Sequence, residues 1–284
     1  RRVVAKLQIG TTHELATVAN LPLIGNLYAK ARALRRLRVP DVLGCWNFGN
    51  MLTANTAAFA RFMDARPLPP RRRALQAFAA EYFPGCRPAR VAEAWEAFAR
   101  AMESFPFNMP MLYRGPMNFA LVLPIRPAPL TGKPLGRSWL PDKRGDDLPV
   151  VDYSLAEITE GFGRLTERWE AATDLLACGL AGCRGRAARE ELVNARVAGH
   201  CFRSTWNLYR AWPVRREWRP GRAAELLPIL QDERDHLARA LPLVAGDARM
   251  GFHSECQYRM FTAEGIRRKL RRLEADVALC RKRL

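Results

Sequence analysis

Two short apolar runs, each ending in polar residues, open the chain. The run 3–9 gives way to the small and polar stretch 10–14, and the run 42–48 gives way to 49–50. Between them, apolar residues recur every three to four positions, as in a helix with one buried face. With a further short helix over 55–63, the pattern predicts strand, helix, strand, helix. This order is typical of right-handed parallel α/β units.

Downstream of a proline-rich break the apolar spacing is helical almost throughout. We therefore expect an α/β part followed by an all-α part. Residues 1–66 are predicted to be the last βα units of an incomplete (β/α)8 barrel, 67–150 a helical extension with a proline-rich loop, and 151–284 a helical bundle. The bundle should open at a capping box in which Ser154 and Glu157 bind the first free amides of a helix.

The chain begins with Arg and opens directly in a strand. Two βα units cannot close an eight-stranded barrel. We therefore expect the chain to be the C-terminal part of a longer protein, with the other strands and any signal peptide lying upstream.

The composition is strongly basic, with 46 Lys and Arg against 28 Asp and Glu and a formal charge of +18. A basic surface concentrates polyanions whatever their sequence. However, the basic residues are almost all Arg, they are spread along the chain, and no zinc-finger, RRM or basic-zipper pattern accompanies them. Specific nucleic-acid binding is therefore not expected.

The cysteine content and the hydropathy of the chain indicate where in the cell the protein is expected. The seven cysteines include no CxxC pair, which favours reduced thiols over a disulfide framework and favours the cytoplasm. No run approaches eighteen apolar residues, so no membrane span is predicted. The oligomeric state cannot be predicted from this pattern.

Several short sequences begin like metal-binding motifs, but none of them has the residues that would complete such a motif. His13–Glu14 begins like HExxH, but the fifth position is Thr17. His253 begins an H-x-E, yet no PCxxC follows. Asp232 and His236 are one helical turn apart, but their neighbours are nearly all polar, which predicts a solvent-exposed face. We expect no metal and no cofactor.

The strongest candidate chemistry lies at the two predicted strand ends. Glu14, placed there, can act as a general acid or base, and the adjacent His13 can orient it or contact a ligand. Trp46 with Asn47 and Asn50 offers what a sugar site needs, a ring face for stacking and amides for hydroxyl groups. The alternative is structural: Glu14 caps the next helix and Trp46 belongs to the core.

The segment 250–255 interrupts the predicted bundle and allows two interpretations. In one, His253 and Glu255 reach a ligand-binding cleft near Glu14 or Trp46. In the other, Glu255 or Ser254 caps a turn and His253 is a surface histidine.

A resemblance to glycoside-hydrolase-like bacterial proteins is carried by segments near the start, AKLQIGTTHELATV, LPLIGNLYAK, GCWNFGN and NTAAFARF. These are similar to the end of a catalytic barrel. The next stretch is similar to the helical extension of α-glucuronidases and β-N-acetylhexosaminidase-type enzymes, AEYFPGCRPARVAEAWEAFARAMESFPF. The resemblance implies a sugar hydrolase with paired acidic residues, in which Glu14, Trp46 and Asn47 match plausible site positions.

Two functions follow from these patterns. The first is a glycoside hydrolase acting on O-glycosidic bonds, with a carbohydrate substrate, Glu14 as a catalytic residue and the other acidic residues largely upstream. The second is a non-catalytic carbohydrate-binding or scaffolding protein that keeps a degenerate barrel cleft.

Overall fold

The computed structural model describes residues 3–10, 15–45, 53–140, 145–253 and 258–284. Short 3₁₀ helices lie at Met117–Val122 and Pro220–Arg222. The other elements are, in chain order, β1 (Val4–Gln8), α1 (Ile24–Arg36), β2 (Asp41–Cys45), α2 (Ala54–Asp64), α3 (Arg71–Tyr82), α4 (Pro88–Met102), α5 (Met109–Arg114), α6 (Leu155–Leu180), α7 (Arg186–Arg216), α8 (Ala223–Gly246), β3 (Phe252–His253), β4 (Tyr258–Arg259) and α9 (Ala263–Arg281).

The chain divides into two compact units. Unit 1 consists of Arg1–His13, Val18–Glu103 and Glu167–Arg196. Unit 2 consists of Glu14–Thr17, Ser104–Thr166 and Val197–Leu284.

Unit 1 contains the predicted strand–helix–strand arrangement. β1 and β2 pair in parallel, from Val4 opposite Asp41 to Gln8 opposite Cys45, and α1 connects them. The carboxyl ends of both strands therefore lie at the same edge. The strand and helix predictions for residues 3–63 are confirmed in type and order.

The prediction of an incomplete (β/α)8 barrel was wrong, because the chain is mostly helical and the strands in its described part close no barrel. The strands in the described ranges form two separate pairs, β1–β2 and β3–β4. After α2 the chain runs into α3 and α4, so the alternation of strand and helix that a barrel requires stops at β2. Val4 and Leu43 remain more than half exposed at this small sheet.

The core of unit 1 is a chain of aromatic side chains from helices that the periodicity predicted. Phe78 on α3 lies 6.1 Å from Phe62 on α2 and 5.8 Å from Trp95 on α4, measured between ring centroids. Phe98 and Trp169 are 4.5 Å apart. All five rings are at most 2% exposed, and edge or tilted contacts of this kind add to the stabilisation from apolar burial.

Unit 2 is built mainly from helices. Phe162 on α6 and Tyr209 on α7 stack with ring centroids 5.8 Å apart, and both are fully buried. The predicted capping box is confirmed: Ser154 N donates to Glu157 Oε2 at 2.7 Å, and Glu157 N donates to Ser154 Oγ at 3.2 Å. No helix in the described part of the chain is both long and apolar enough to cross a membrane.

Candidate functional site

The edge where β1 and β2 end is held by a buried amide that the sequence analysis missed. Asn55, at the start of α2, donates from Nδ2 to Ile9 O at 3.1 Å and to Leu21 O at 2.9 Å. Thr53 caps the same helix and donates from Oγ1 to Asn20 Oδ1 at 3.0 Å. These bonds fix the chain on both sides of the predicted strand-end residues in unit 1.

Most of the predicted site residues lie outside the described residues. At the strand ends this holds for His13, Trp46, Asn47 and Asn50 of unit 1. In unit 2 it holds for Glu14 and Glu255. The roles predicted for these six side chains therefore stay predictions.

The residues that follow Glu14 in sequence are buried and firmly held in unit 2. Leu15, Ala16 and Thr17 are at most 1% exposed. Ala16 N donates to Asn118 Oδ1 at 2.8 Å, and Gly251 N donates to Thr17 O at 2.9 Å. The segment after Glu14 therefore lies against the chain that leads into β3.

His253 is the predicted site residue that the structure does describe. It lies in β3, opposite Tyr258 of β4, in a short antiparallel hairpin. Its side chain is 1% exposed, so the interpretation of His253 as a surface histidine was wrong. Because two-residue strands bury little by themselves, the burial of His253 reflects packing of the hairpin against the rest of unit 2.

A cavity of about 250 Å³ opens beside this hairpin, within unit 2. Tyr258, Arg259 and Thr262 line it from β4 and from the N-terminal end of α9, and Arg268 lines it from the second turn of that helix. Tyr258 is 48% exposed. The cavity therefore presents an accessible phenol ring, a hydroxyl group and two guanidinium groups.

A second polar cluster, fully buried, lies between α7, α8 and α9 of unit 2. Glu233 Oε1 accepts from Lys269 Nζ at 2.5 Å and from Ser204 Oγ at 2.8 Å. Glu233 Oε2 accepts from Asn207 Nδ2 at 2.9 Å and lies 2.8 Å from His236 Nε2. The carboxylate thus has a donor at each of its lone-pair positions, which is what a buried charge requires.

The expectation of an exposed face at 232–236 was wrong for Glu233 and His236, both 0% exposed. The sequence contained a pattern from which the burial of Glu233 could have been predicted. Glu233 continues the apolar stripe of α8 with Leu226, Leu230 and Leu237, and Lys269 occupies an inward position on α9. A charged residue on the buried stripe of a helix predicts a buried partner more than a solvated face.

The electrostatics of this cluster keep the ion pair charged. Burial by itself would raise the pKa of Glu233, but Lys269 and His236 outweigh it, and the pKa falls well below its ordinary value. Burial lowers the pKa of Lys269, and Glu233 opposes that change. Burial, with His236 and Arg239 nearby, lowers the pKa of His200 to about 3. The His200 and His236 rings stack at 5.6 Å.

This enclosed cluster can hold helices in register, but a substrate cannot reach it. Glu233, Ser204 and His236 do not form a nucleophilic triad, because Ser204 donates directly to the carboxylate and His236 uses the same nitrogen for both neighbours. Within the described ranges, no group of three His, Cys, Asp or Glu side chains could hold a metal ion.

Comparisons with family models, with curated proteins and with solved structures found no match to this chain.

Proposed function

We propose that the chain binds a carbohydrate in the cavity beside the β3–β4 hairpin of unit 2, and that Glu14 takes part in hydrolysis of the glycosidic bond. The observation that carries the proposal is the cavity itself. At about 250 Å³ it suits a ligand of the size of one sugar ring.

The chemistry of the lining suits a sugar. An exposed phenol ring such as that of Tyr258 offers an apolar face to the C–H groups of a pyranose. The guanidinium groups of Arg259 and Arg268 donate hydrogen bonds in fixed planar geometry, which suits hydroxyl, carboxylate or sulfate groups of a saccharide. Thr262 adds a hydroxyl group at the same wall.

The part assigned to Glu14 rests on chain connectivity and on the resemblance to glycoside hydrolases. The hydrogen bond from Gly251 N to Thr17 O brings the segment following Glu14 against the chain that enters β3. In this proposal Glu14 is the acid or base and Glu255 helps to bind the substrate. His253, which is buried and does not line the cavity, supports the hairpin instead. For the end of β2 in unit 1, the role of Trp46, Asn47 and Asn50 as sugar-contacting residues is a separate proposal.

Calorimetric titration of the purified chain with a panel of neutral, uronic and sulfated saccharides tests the binding site. Tyr258→Ala and Arg268→Ala should each weaken binding about tenfold, equivalent to about 1.4 kcal/mol. Two matched controls should bind as the wild type does: Phe252→Ala, an exposed aromatic residue on the facing strand, and Arg267→Ala, the preceding arginine on α9. Loss of affinity in the controls alone, or binding of no saccharide at all, would contradict the proposal.

Turnover of aryl glycosides tests the catalytic role. If Glu14 is the acid or base, Glu14→Gln should lower kcat by a factor of about 100 to 10,000 while saccharide binding persists. Binding without any turnover by the wild-type chain would favour the second function, a non-catalytic carbohydrate-binding protein. Trp46→Ala, with Trp218→Ala as its control, separately tests the predicted contact at the end of β2.

A further inference from the structure

Two cysteines that are far apart in sequence lie in neighbouring turns of unit 1. Cys86 follows the end of α3, and Cys183 follows the end of α6. Cys183 Sγ lies 3.7 Å from Phe83 O, and the same carbonyl oxygen accepts from Cys86 N at 3.0 Å. The thiol of one cysteine and the backbone amide of the other therefore converge on one atom.

The backbones next to the two cysteines are also in contact. Arg87 N donates to Gly179 O at 2.8 Å. A Cβ atom added to Gly182 would meet Gly85 O at 2.5 Å, and one added to Gly85 would meet Gly182 O at 3.2 Å. Glycine precedes each cysteine, and the absence of a side chain at both positions is what allows the turns to approach so closely.

We propose that Cys86 and Cys183 form a reversible disulfide bond that joins the turn after α3 to the turn after α6. Both thiols are free and partly exposed in this structure, so a small oxidant can reach them. The contacts between the flanking backbones hold the two turns against each other. To form the bond, the Cys86 thiol must leave Ala79 O, from which its Sγ lies 3.4 Å away, and the Cys183 thiol must leave Phe83 O.

The exchange balances with a low-molecular-weight disulfide such as oxidised glutathione as the oxidant. One cysteine thiolate attacks a glutathione sulfur, forming a mixed disulfide and releasing one reduced glutathione. The other cysteine thiolate attacks the protein sulfur of that mixed disulfide and displaces the second glutathione. The two protein thiols lose two protons and two electrons, and the glutathione disulfide is reduced to two thiols.

The rate of this exchange should rise in alkali. Desolvation raises the pKa of both Cys86 and Cys183, and the proximity of Cys183 adds to the shift at Cys86. The thiolate is the attacking species, so raising the pH above neutrality increases the reactive fraction of each thiol.

The neighbouring Cys178 provides a matched control. It lies on α6, is exposed, and has its Sγ 3.7 Å from Arg87 Nη1. It is therefore close to the same turns without sharing the Phe83 carbonyl contact of Cys183. A test of the proposed pair must distinguish Cys86–Cys183 from any bond that involves Cys178.

The proposal can be tested with the purified wild-type chain and three variants, Cys86→Ser, Cys183→Ser and Cys178→Ser. Each protein is equilibrated with graded ratios of oxidised to reduced glutathione and then digested, and its peptides are identified by mass spectrometry. The wild type and Cys178→Ser should yield a peptide pair joined through Cys86 and Cys183. Cys86→Ser and Cys183→Ser should instead carry a glutathione adduct on the remaining cysteine. Reduction with excess thiol should restore the original mass.

Thermal unfolding gives a second readout. Closing a long loop of chain should raise the Tm of the oxidised wild type and of Cys178→Ser by roughly 5 to 10 °C, with no rise in the other two variants. A Cys178–Cys183 bond in place of the proposed one, separate glutathione adducts on Cys86 and Cys183 of the wild type, or a fall in Tm on oxidation would each overturn the proposal.

Discussion

The helices of unit 1 and the helices of unit 2 pack around chemically different cores. In unit 1 the helices meet through aromatic rings, and even the buried carboxylate of Glu191 accepts from an indole, Trp95 Nε1, at 3.0 Å. In unit 2 three helices meet around the buried ion pair of Glu233 and Lys269. The first arrangement needs apolar volume, whereas the second needs every hydrogen-bond partner in place, so they should respond differently to similar substitutions.

The largest effect is expected when one partner of the ion pair is removed. Lys269→Met keeps most of the length of the side chain but leaves the Glu233 carboxylate buried without its cation, which should lower the free energy of unfolding by about 3 to 5 kcal/mol. Urea denaturation followed by circular dichroism measures this loss.

Two further variants show whether the cause is the unpaired charge. Adding Glu233→Gln to Lys269→Met removes that charge, so the double variant should lose less stability than the sum of the two single variants. Arg267→Met, on the exposed face of the same helix, should stay within about 0.5 kcal/mol of the wild type. If the losses of stability caused by Lys269→Met and Glu233→Gln simply added in the double variant, the two side chains would not be coupled. The proposed difference between the cores of unit 1 and unit 2 would then be wrong.

Acid should destabilise unit 2 through His200. Its pKa in the folded chain is about 3, below the ordinary 6.5, so the unfolded chain takes up a proton between these values while the folded chain does not. Stability is therefore complete above pH 6.5 and falls as the pH is lowered from there. The ring is partly exposed, so we expect a loss on the order of 2 kcal/mol by pH 4.5.

Denaturation measured between pH 7.5 and 4.5 for the wild type and His200→Asn checks this prediction. The variant should show a flatter profile. The lowered pKa of Glu233 means that its contribution is present above its ordinary pKa of 4.5 and is lost only at lower pH. Burial raises the pKa of Asp276, so the difference between the two profiles, rather than the wild-type slope alone, reports on His200. Equal slopes in the two profiles would contradict the prediction.

A change of shape in the aromatic core of unit 1 should cost less than the loss of a charge in unit 2. Phe78→Leu retains most of the apolar volume between Phe62 and Trp95, so the expected loss in free energy of unfolding is about 1.5 kcal/mol or less. Phe78→Ala, which leaves a cavity, should cost about 3 to 5 kcal/mol. If Phe78→Leu proved as costly as Lys269→Met, the contrast between the two cores would fail.

The smallest loss of stability is expected when a helix cap is removed, and this loss should be similar in both units. Thr53 caps α2 in unit 1, and Thr262 caps α9 in unit 2 by accepting from Gly265 N at 3.0 Å. Because a cap acts locally, Thr53→Ala and Thr262→Ala should each lower the free energy of unfolding by about 1 kcal/mol. Chemical denaturation of both variants tests this, with Thr159→Ala as a comparison, because Thr159 lies in the second turn of α6 and its hydroxyl donates to Leu155 O instead of capping the helix.

The sequence by itself determined the local structure. Apolar periodicity predicted the βαβ order and the helices, because a helix or strand must present one apolar face to the core whatever that core turns out to be. The capping box at Ser154 was predictable for a similar reason, since both partners lie within one helical turn.

Only the tertiary structure decided how the strands associate and which polar residues are buried. The pattern of β1 and β2 is compatible with a barrel or with an isolated parallel pair, because a strand does not encode how many neighbours its sheet will have. Glu233 and Lys269 are 36 residues apart, and Cys86 and Cys183 are farther apart still. No local pattern links such residues; their pairing depends on helices that meet only when the chain has folded, and there burial changes the free energy of a charge or the reactivity of a thiol.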